Sequence, residues 1–305
     1  MKIAAIDIGG TAIKYCLHNA QSPFEKKVVH EIPTGALQGG TAVMARVKEI
    51  ISLMDGVDSI AISTAGQVNP VSGSIIYATD NIPGYTGTPI KEIMETTFKV
   101  PVIVENDVNA AALGESAFGA GRDYSDFLCL TYGTGIGGAI IINNKIYYGS
   151  SYSAAEMGHL ITHANGLQCT CGSRGCYEAY ASTTALIRSV KENSGLELNG
   201  RQIFAAMKNN PIIESAVIAW IDEIMWGLVS LVHVFNPPCI ILGGGIMNEV
   251  FIHNYIQQNI KRYLMKSYQH VVIKQASLGN TAGLQGMIHL AQTQLAEGAV
   301  ASDIQ

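Results

Sequence analysis

Charged side chains are scarce in this 305-residue chain, at 14%, while apolar ones reach 48%. The shortage of charge leaves enough apolar side chain to bury a sizeable core, in one large or two moderate domains. Positive charge is the scarcer sign, with 19 Lys and Arg against 24 Asp and Glu and a formal net charge of -5. With a pI near 5.9, that balance argues against a protein that lives on nucleic acid phosphates. No leader is expected either. Met1-Lys2 runs straight into the strand-like Ile3-Ala4-Ala5-Ile6-Asp7 with no cleavage site behind an apolar stretch. No apolar run reaches the roughly 18 residues that a bilayer span needs. The expectation is a cytoplasmic protein without a membrane partner. Thiols stay reduced there, so the six cysteines are not read as disulfides, and clustered ones favour a metal. Cys16, Cys129 and Cys239 stand singly in apolar surroundings and are read as core. No Gly-x4-Gly-Lys-Ser/Thr occurs, which excludes a Walker A loop, and no His-Glu-x-x-His occurs.

What is present is an alternation of strands and helices. Lys2–Ile8 reads as a buried strand, broken by Gly9-Gly10-Thr11 and resumed over Ala12–Leu17, with a third strand over Lys26–Ile32. Apolar residues Val43, Met44, Val47, Ile50, Ile51 and Met54 have helical spacing over Thr41–Met54. Ser59–Ser63 is a strand ending at Thr64-Ala65-Gly66, and a loop-rich section follows. Ile90–Phe98 is a short helix, Val102–Glu105 a strand, and Asn106-Asp107 opens a helix over Val108–Phe118. The plan then restarts, with Phe127–Tyr132 as strand, Gly133–Gly138 as glycine tip, Ala139–Ile142 and Lys145–Tyr148 as strands. Helical sequence covers Thr184–Val234, interrupted at Ser194-Gly195 and Asn209–Pro211. Pro238–Leu242 is a strand ending in Gly243-Gly244-Gly245, and Thr281–Leu295 is a last helix before a frayed tail. Such alternation implies an α/β protein. Two runs of one plan imply two similar lobes with a cleft for ligands. No Pro/Gly/Ser-rich linker marks the boundary, which is set near residue 108.

Three apolar strands end in glycine turns, at Gly9-Gly10-Thr11, Gly133–Gly138 and Gly243–Gly245. Glycine lets backbone N–H groups approach an anion with no Cβ in the way. Gly133-x-Gly135-x-x-Gly138 has the letters of a dinucleotide fingerprint, but a strand follows it rather than a helix, so that reading fails. Asp7 sits inside an otherwise apolar strand, where an unpartnered carboxylate is costly. It is read as an acid facing a magnesium nucleotide through water, with Thr11 and Lys14 helping to hold phosphates. Asp107 joins a strand end to a helix start. An N-cap there would be stabilised by the helix dipole and stay ionised. At the end of the first lobe's last strand it can also serve as a base, because an ionised aspartate suffices when the proton leaves late.

His159, Cys169, Cys171 and Cys176 have the spacing His-x9-Cys-x-Cys-x4-Cys. One nitrogen and three thiolates form a closed tetrahedral set of the kind that holds structural zinc. Spacing alone also allows His163 as the nitrogen ligand. A zinc-bound His159 would keep its other nitrogen for a ligand hydroxyl, with Glu156 and Glu178 within reach of the same place. Several fixed donors and acceptors suit a polyhydroxylated ligand. His18, His30, His233, His253, His270 and His289 lack such company and are read as surface or packing residues.

With these residues in hand, nearly the whole chain resembles the ROK family (repressor, open reading frame, kinase) of bacterial sugar kinases and regulators. Asp7-Ile8-Gly9-Gly10-Thr11 is similar to its first phosphate motif, Glu105-Asn106-Asp107 to its catalytic motif, and Leu130–His159 to its signature region. Cys169–Glu178 matches its Cys-x-Cys-Gly-x-x-Gly-Cys-x-Glu motif, and the Glu-x-Gly-His match favours His159 over His163. The resemblance implies a two-lobed actin-like ATPase fold of ribonuclease-H-like lobes. Residues 1–108 would form the small lobe, completed by a C-terminal helix over 287–305. Residues 109–286 would form the large lobe. It implies an ATP-dependent hexose kinase with Asp107 as base toward the sugar 6-hydroxyl. Sugar hydroxyls would be bound by Asn106, Glu156, His159 and Glu178, with Gly66 and Asn81 in sugar-facing loops. Asp7, Gly9, Gly10, Thr11, Lys14, Gly133, Thr134, Gly135, Gly137, Gly243, Gly244 and Gly245 would bind the nucleotide. ATP, magnesium and structural zinc are the cofactors implied, and a homodimer is expected because relatives form them. Two departures, Gly66-Gln67-Val68-Asn69-Pro70 and Asp80–Tyr85, differ from the glucokinase loops and leave N-acetylmannosamine or a β-glucoside as alternatives to glucose. The family also contains repressors with an added N-terminal helix-turn-helix domain. With the phosphate motif at residue 7, such a domain is not expected here. Intact Asp7, Asp107 and glycine turns likewise favour a kinase over an idle sugar sensor.

Overall fold

The computed structural model describes residues 1–20, 22–24 and 28–302. In chain order the elements are β1 (Lys2–Ile8), β2 (Ala12–Asn19), β3 (His30–Pro33), α1 (Gly40–Ser52), β4 (Ser59–Thr64), β5 (Gln67–Asn69), β6 (Ser74–Tyr77), α2 (Ile90–Phe98), β7 (Val102–Asn106) and α3 (Asp107–Phe118). After these come β8 (Phe127–Tyr132), β9 (Ile136–Ile142), β10 (Lys145–Ile146), α4 (Glu178–Ala181), α5 (Thr183–Ser194), α6 (Gly200–Ala206) and α7 (Pro211–Phe235). The chain closes with β11 (Cys239–Gly243), α8 (Val250–Asn259), β12 (Val272–Gln275) and α9 (Ala282–Ser302).

Two five-stranded sheets form, ordered β3-β2-β1-β4-β7 and β10-β9-β8-β11-β12. In each, the first three strands are antiparallel neighbours and the last two join in parallel. The repeat of plan expected from the sequence is therefore a repeat of topology. It is completed by β12, a short strand that the sequence reading missed because only Ile273 within it is buried. The reading also missed α8 and the β5–β6 hairpin, which interrupts the expected loop. In the third expected strand, Lys26 and Lys27 lie outside the described residues, and the paired part is His30–Pro33. The last helix does not fray after Leu295 but runs to Ser302.

The chain divides into two compact units, Met1–Gly119 with Tyr148–Ala154 and Thr281–Gln305, and Ala120–Tyr147 with Ala155–Asn280. This differs from a division at 108, because α3 packs along α9 and stays with the first sheet. In the first unit, β1 alternates by strand period. Ala4, Ile6 and Ile8 join a core with α1 and α2, while Ile3 and Ala5 join a second with Ala110 of α3 and Leu284, Met287 and Ile288 of α9. Asp7 shares the parity of Ile3 and Ala5, so it faces the α9 side. Helices α3 and α9 cross very closely. A Cβ on Gly286 would collide with Ala110 O, and one on Gly114 with Ala282 O, so small residues are required on both.

The second unit has its own core, in which β8, β9 and β11 pack against α5 and α7. Among the described residues, helix α7 is long and apolar enough, by length and composition, to cross a bilayer, although Glu214, Asp222 and Glu223 interrupt its apolar run. Over half of that stretch is buried in the core of this unit, including Trp220, Ile221, Ile224 and Leu228.

Candidate functional site

In the first unit the sheet brings Asp7 and Asp107 to the ends of strands on either side of β4. Asp7 pairs in register with Lys14 across the β1–β2 hairpin and accepts a hydrogen bond from the Ser63 hydroxyl, 2.8 Å away, on Oδ1. Burial raises its pKa, and Ser63 and Lys14 only partly offset that. The hairpin tip is tight, with Gly9 N donating to Ala12 O at 3.0 Å. It is pinned from outside by buried Thr34, whose hydroxyl donates to Gly9 O at 2.6 Å and whose N–H donates to Thr11 O. Thr34 has no signal in the sequence, because its role depends on β3 folding back.

Asp107 is not the N-cap. Asn106 is, and its Oδ1 accepts from Val108 N at 2.9 Å and Asn109 N at 3.0 Å. Asn106 Nδ2 donates in turn to Gly66 O and to Asp107 Oδ1, both at 3.0 Å. Three of the expected residues, Gly66, Asn106 and Asp107, are thus one knot. Asn81 is exposed in the loop after β6. Val108 N also donates to Asp107 Oδ1. These bonds end on Oδ1, leaving Oδ2 to take a proton. The expectation of a firmly ionised aspartate is corrected as well. Burial and then the nearby Asp7 charge push the carboxyl up to about 7, against the lowering hydrogen bonds. The first turn of a helix supplies only a fraction of a charge, which burial outweighs here.

Next to this knot is Glu105, only 1% exposed. Its Oε1 accepts from Asn106 N at 2.8 Å and Asn109 Nδ2 at 3.0 Å, and its Oε2 from the Tyr148 hydroxyl at 2.6 Å. Burial raises its pKa despite these donors. The sequence reading quoted Glu105 without giving it a role. An acid at the buried end of an apolar strand was the available signal.

In the second unit, β8 and β11 are parallel neighbours with Gly243 opposite Thr131. Their C-terminal turns, Gly133-Thr134-Gly135 and Gly243-Gly244-Gly245, are thereby side by side. Gly133 N donates to Gly135 O at 2.9 Å, and Gly133 O accepts from Thr183 N at the start of α5. Gly137 is not in the tip but inside β9, opposite Thr131.

Among the described residues, His159, Cys169, Cys171 and Cys176 form a candidate metal group with ligand atoms all within 4.8 Å of one another. His159 Nδ1 is 3.6 Å from Cys169 Sγ, and Cys171 Sγ is 3.6 Å from Cys176 Sγ. A tetrahedral zinc with bonds of about 2.0–2.3 Å needs donors about 3.3–3.8 Å apart, so this set fits one. His163 is outside it, stacked on Tyr180 with ring centroids 3.9 Å apart and 3.5 Å from Glu223 Oε1. The other His159 nitrogen, Nε2, is 3.9 Å from Glu156 Oε2. Glu178 reaches two places at once. Its Oε1 lies 3.2 Å from Cys169 Sγ, and its Oε2 accepts from Ile136 N, just past the glycine tip, at 3.3 Å. The turn carrying His159 also packs on β9, where a Cβ on Gly158 would collide with Ile136 O. The glycine tip, the Glu156–His159 turn and the cysteine loop are therefore one assembly, joined in part by buried Tyr132 and Tyr177, whose hydroxyls are 2.8 Å apart.

The ROK family model matches residues 3–294. A glucokinase of Streptomyces coelicolor is 35% identical over 317 residues, spanning 94% of this chain and 96% of its own. A beta-glucoside kinase of Listeria innocua is 32% identical over 295 residues, spanning 95% and 97%. The crystal structure of a ROK family glucokinase from Streptomyces griseus, in complex with glucose and AMPPNP, is similar with a TM-score of 0.83 at 31% identity, covering 96% of this chain and 100% of that one.

Proposed function

This chain belongs to the ROK family and has the actin-like ATPase fold of its sugar kinases, and from that premise we propose that it transfers the terminal phosphoryl group of ATP to the 6-hydroxyl of a hexose or hexose derivative. Glucose, a β-glucoside or N-acetylmannosamine is the acceptor class. The observation that carries the reading is the Asp107 carboxyl, held through Oδ1 by Asn106 and raised to about 7.

As the new oxygen–phosphorus bond forms and the bond to the leaving ADP breaks, the acceptor hydroxyl gives its proton to Asp107. Asn106 fixes the carboxyl and, with Gly66 and Asn81, offers polar groups to the sugar. In the second unit, Glu156, Glu178 and the Nε2 of His159 bind sugar hydroxyls. The turns at Gly133–Gly135 and Gly243–Gly245, with Gly9, Gly10, Thr11 and Lys14 of the first unit, bind the nucleotide. Asp7 would hold magnesium through water. Zinc, when bound by His159, Cys169, Cys171 and Cys176, supplies a fixed centre that orients the loop. A cytoplasmic, homodimeric enzyme is the accompanying reading.

An assay coupled to ADP release tests the class. Glucose, N-acetylmannosamine, N-acetylglucosamine, fructose, mannose, allose and cellobiose should give widely different kcat/KM values, one of them dominant. Sugar-stimulated ADP release absent across the panel would sink the kinase reading. The base has its own signature. Only ionised Asp107 accepts a proton, so kcat/KM should climb about tenfold per pH unit below pH 7 and level off above it. A flat profile from about pH 5 to 8 would remove Asp107 as the titrating group.

A further inference from the structure

We infer that Glu105 is a positioning residue for Asp107, and that its bond to Tyr148 fastens the segment Tyr148–Ala154 to the turn that carries the base. The inference rests on the reading of Asp107 as base.

A buried carboxylate at the end of a strand is costly unless it is hydrogen-bonded, and Glu105 is bonded at both oxygens. What Glu105 adds is geometry. Its Oε1 holds Asn106 N and Asn109 Nδ2, one residue before Asp107 and two after it. Asn106 then holds Asp107 Oδ1. The position of the base follows from this chain of bonds, and Tyr148 is its outer end.

The segment Tyr148–Ala154 belongs to the first unit although its flanks belong to the second. It is a closed loop. Ala154 N donates to Tyr148 O at 3.1 Å, and the Tyr148 and Tyr152 rings meet edge to face. Tyr152 has a φ of 61, a left-handed conformation that a bulky residue adopts only when its surroundings impose it. Two side-chain bonds supply the hold, Tyr148 to Glu105 and Ser153 Oγ to Gln67 Oε1 at 3.1 Å. Gln67 directly follows Gly66, whose carbonyl is bonded by Asn106. The loop is thus tied on both sides of the Asn106 knot.

The test uses the full chain with ATP and its best sugar, together with amide hydrogen exchange on the same proteins. Tyr148→Phe removes a single oxygen. It should lower kcat about tenfold while the sugar KM changes by less than about twofold, because a loosened base is misplaced without a loss of sugar contacts. Glu105→Ala should lower kcat about a hundredfold. Glu105→Gln should recover much of that loss, since its amide oxygen can accept from Asn106 and Asn109 and its N–H can meet Tyr148. Exchange should quicken in Tyr148→Phe both at residues 106–109 and at residues 148–154. A folded Tyr148→Phe protein with unchanged kcat, or unchanged exchange at residues 106–109, would overturn the inference. If wild-type protein releases no ADP with any sugar, the kinase reading fails separately, and the exchange result still decides whether Glu105 ties the two segments together.

Discussion

Asp107→Asn should lower turnover by about three orders of magnitude while leaving sugar binding nearly unchanged. Asparagine has the shape of aspartate and keeps the Oδ1 acceptor that Asn106 Nδ2 and Val108 N use. It cannot take a proton. The site should therefore assemble and bind sugar, measured by calorimetry, but not react. The substitution should also affect stability with a definite sign. A carboxyl whose folded pKa is raised to about 7 favours folding while protonated, and that contribution is lost as pH rises through 7. Replacing it removes a buried charge that burial and Asp7 disfavour. Relative to the parent, Asp107→Asn should be more stable above pH 7 than at about pH 5. Turnover within tenfold of the parent would remove the base assignment.

Cys171→Ser should empty the candidate metal group, although Cys171 is exposed. It takes one thiolate from a four-ligand set, so bound zinc should fall from about one per chain toward zero by elemental analysis. Sugar affinity should weaken about 10- to 100-fold, the usual scale for loss of a group that orients a ligand-binding residue. The reason is mechanical. Without a metal, His159 Nδ1 keeps only the 3.6 Å contact to Cys169 Sγ and the 3.8 Å approach of Glu178 Oε1, so Nε2 is aimed less firmly. Glu178, which touches both Cys169 and Ile136 N, gains freedom at the same time. Nucleotide affinity should drop too, by a smaller factor, because Ile136 directly follows the glycine tip. A zinc-free variant with parental sugar affinity would show that the metal does not aim His159.

Much of this protein is legible in one dimension because local patterns and covalent spacing carry it. The apolar run Lys2–Ile8, the helical period of Val43, Met44, Val47, Ile50 and Ile51, and the glycines after β1, β8 and β11 mark elements whose burial is nearly complete. Where one face of a segment is weakly apolar, the marks fade. The strand Val272–Gln275 buries little, and α8 mixes His253 and Asn259 into its core face, so both were missed. Helix α7 was legible in full, since the break at Asn209–Pro211 and the apolar sequence up to Val234 mark both of its ends.

The sequence alone determined the repeated plan of two sheets, the grouping of Cys169, Cys171 and Cys176 with a nearby histidine, and the placement of Asp107 at a strand-to-helix junction. Those follow from periodicity and from ligand spacing, which act over a few residues. Only the tertiary structure decided that Asn106 caps α3 and frees Asp107 from that task, and that burial beside Asp7 raises the Asp107 carboxyl to about 7. It alone brought Thr34 to Gly9 and Tyr148 to Glu105, and joined the glycine tip to the cysteine loop through Glu178. Such contacts link residues 25 to 43 positions apart. Their energies depend on desolvation and on distances in space, and neither is written in the order of the residues.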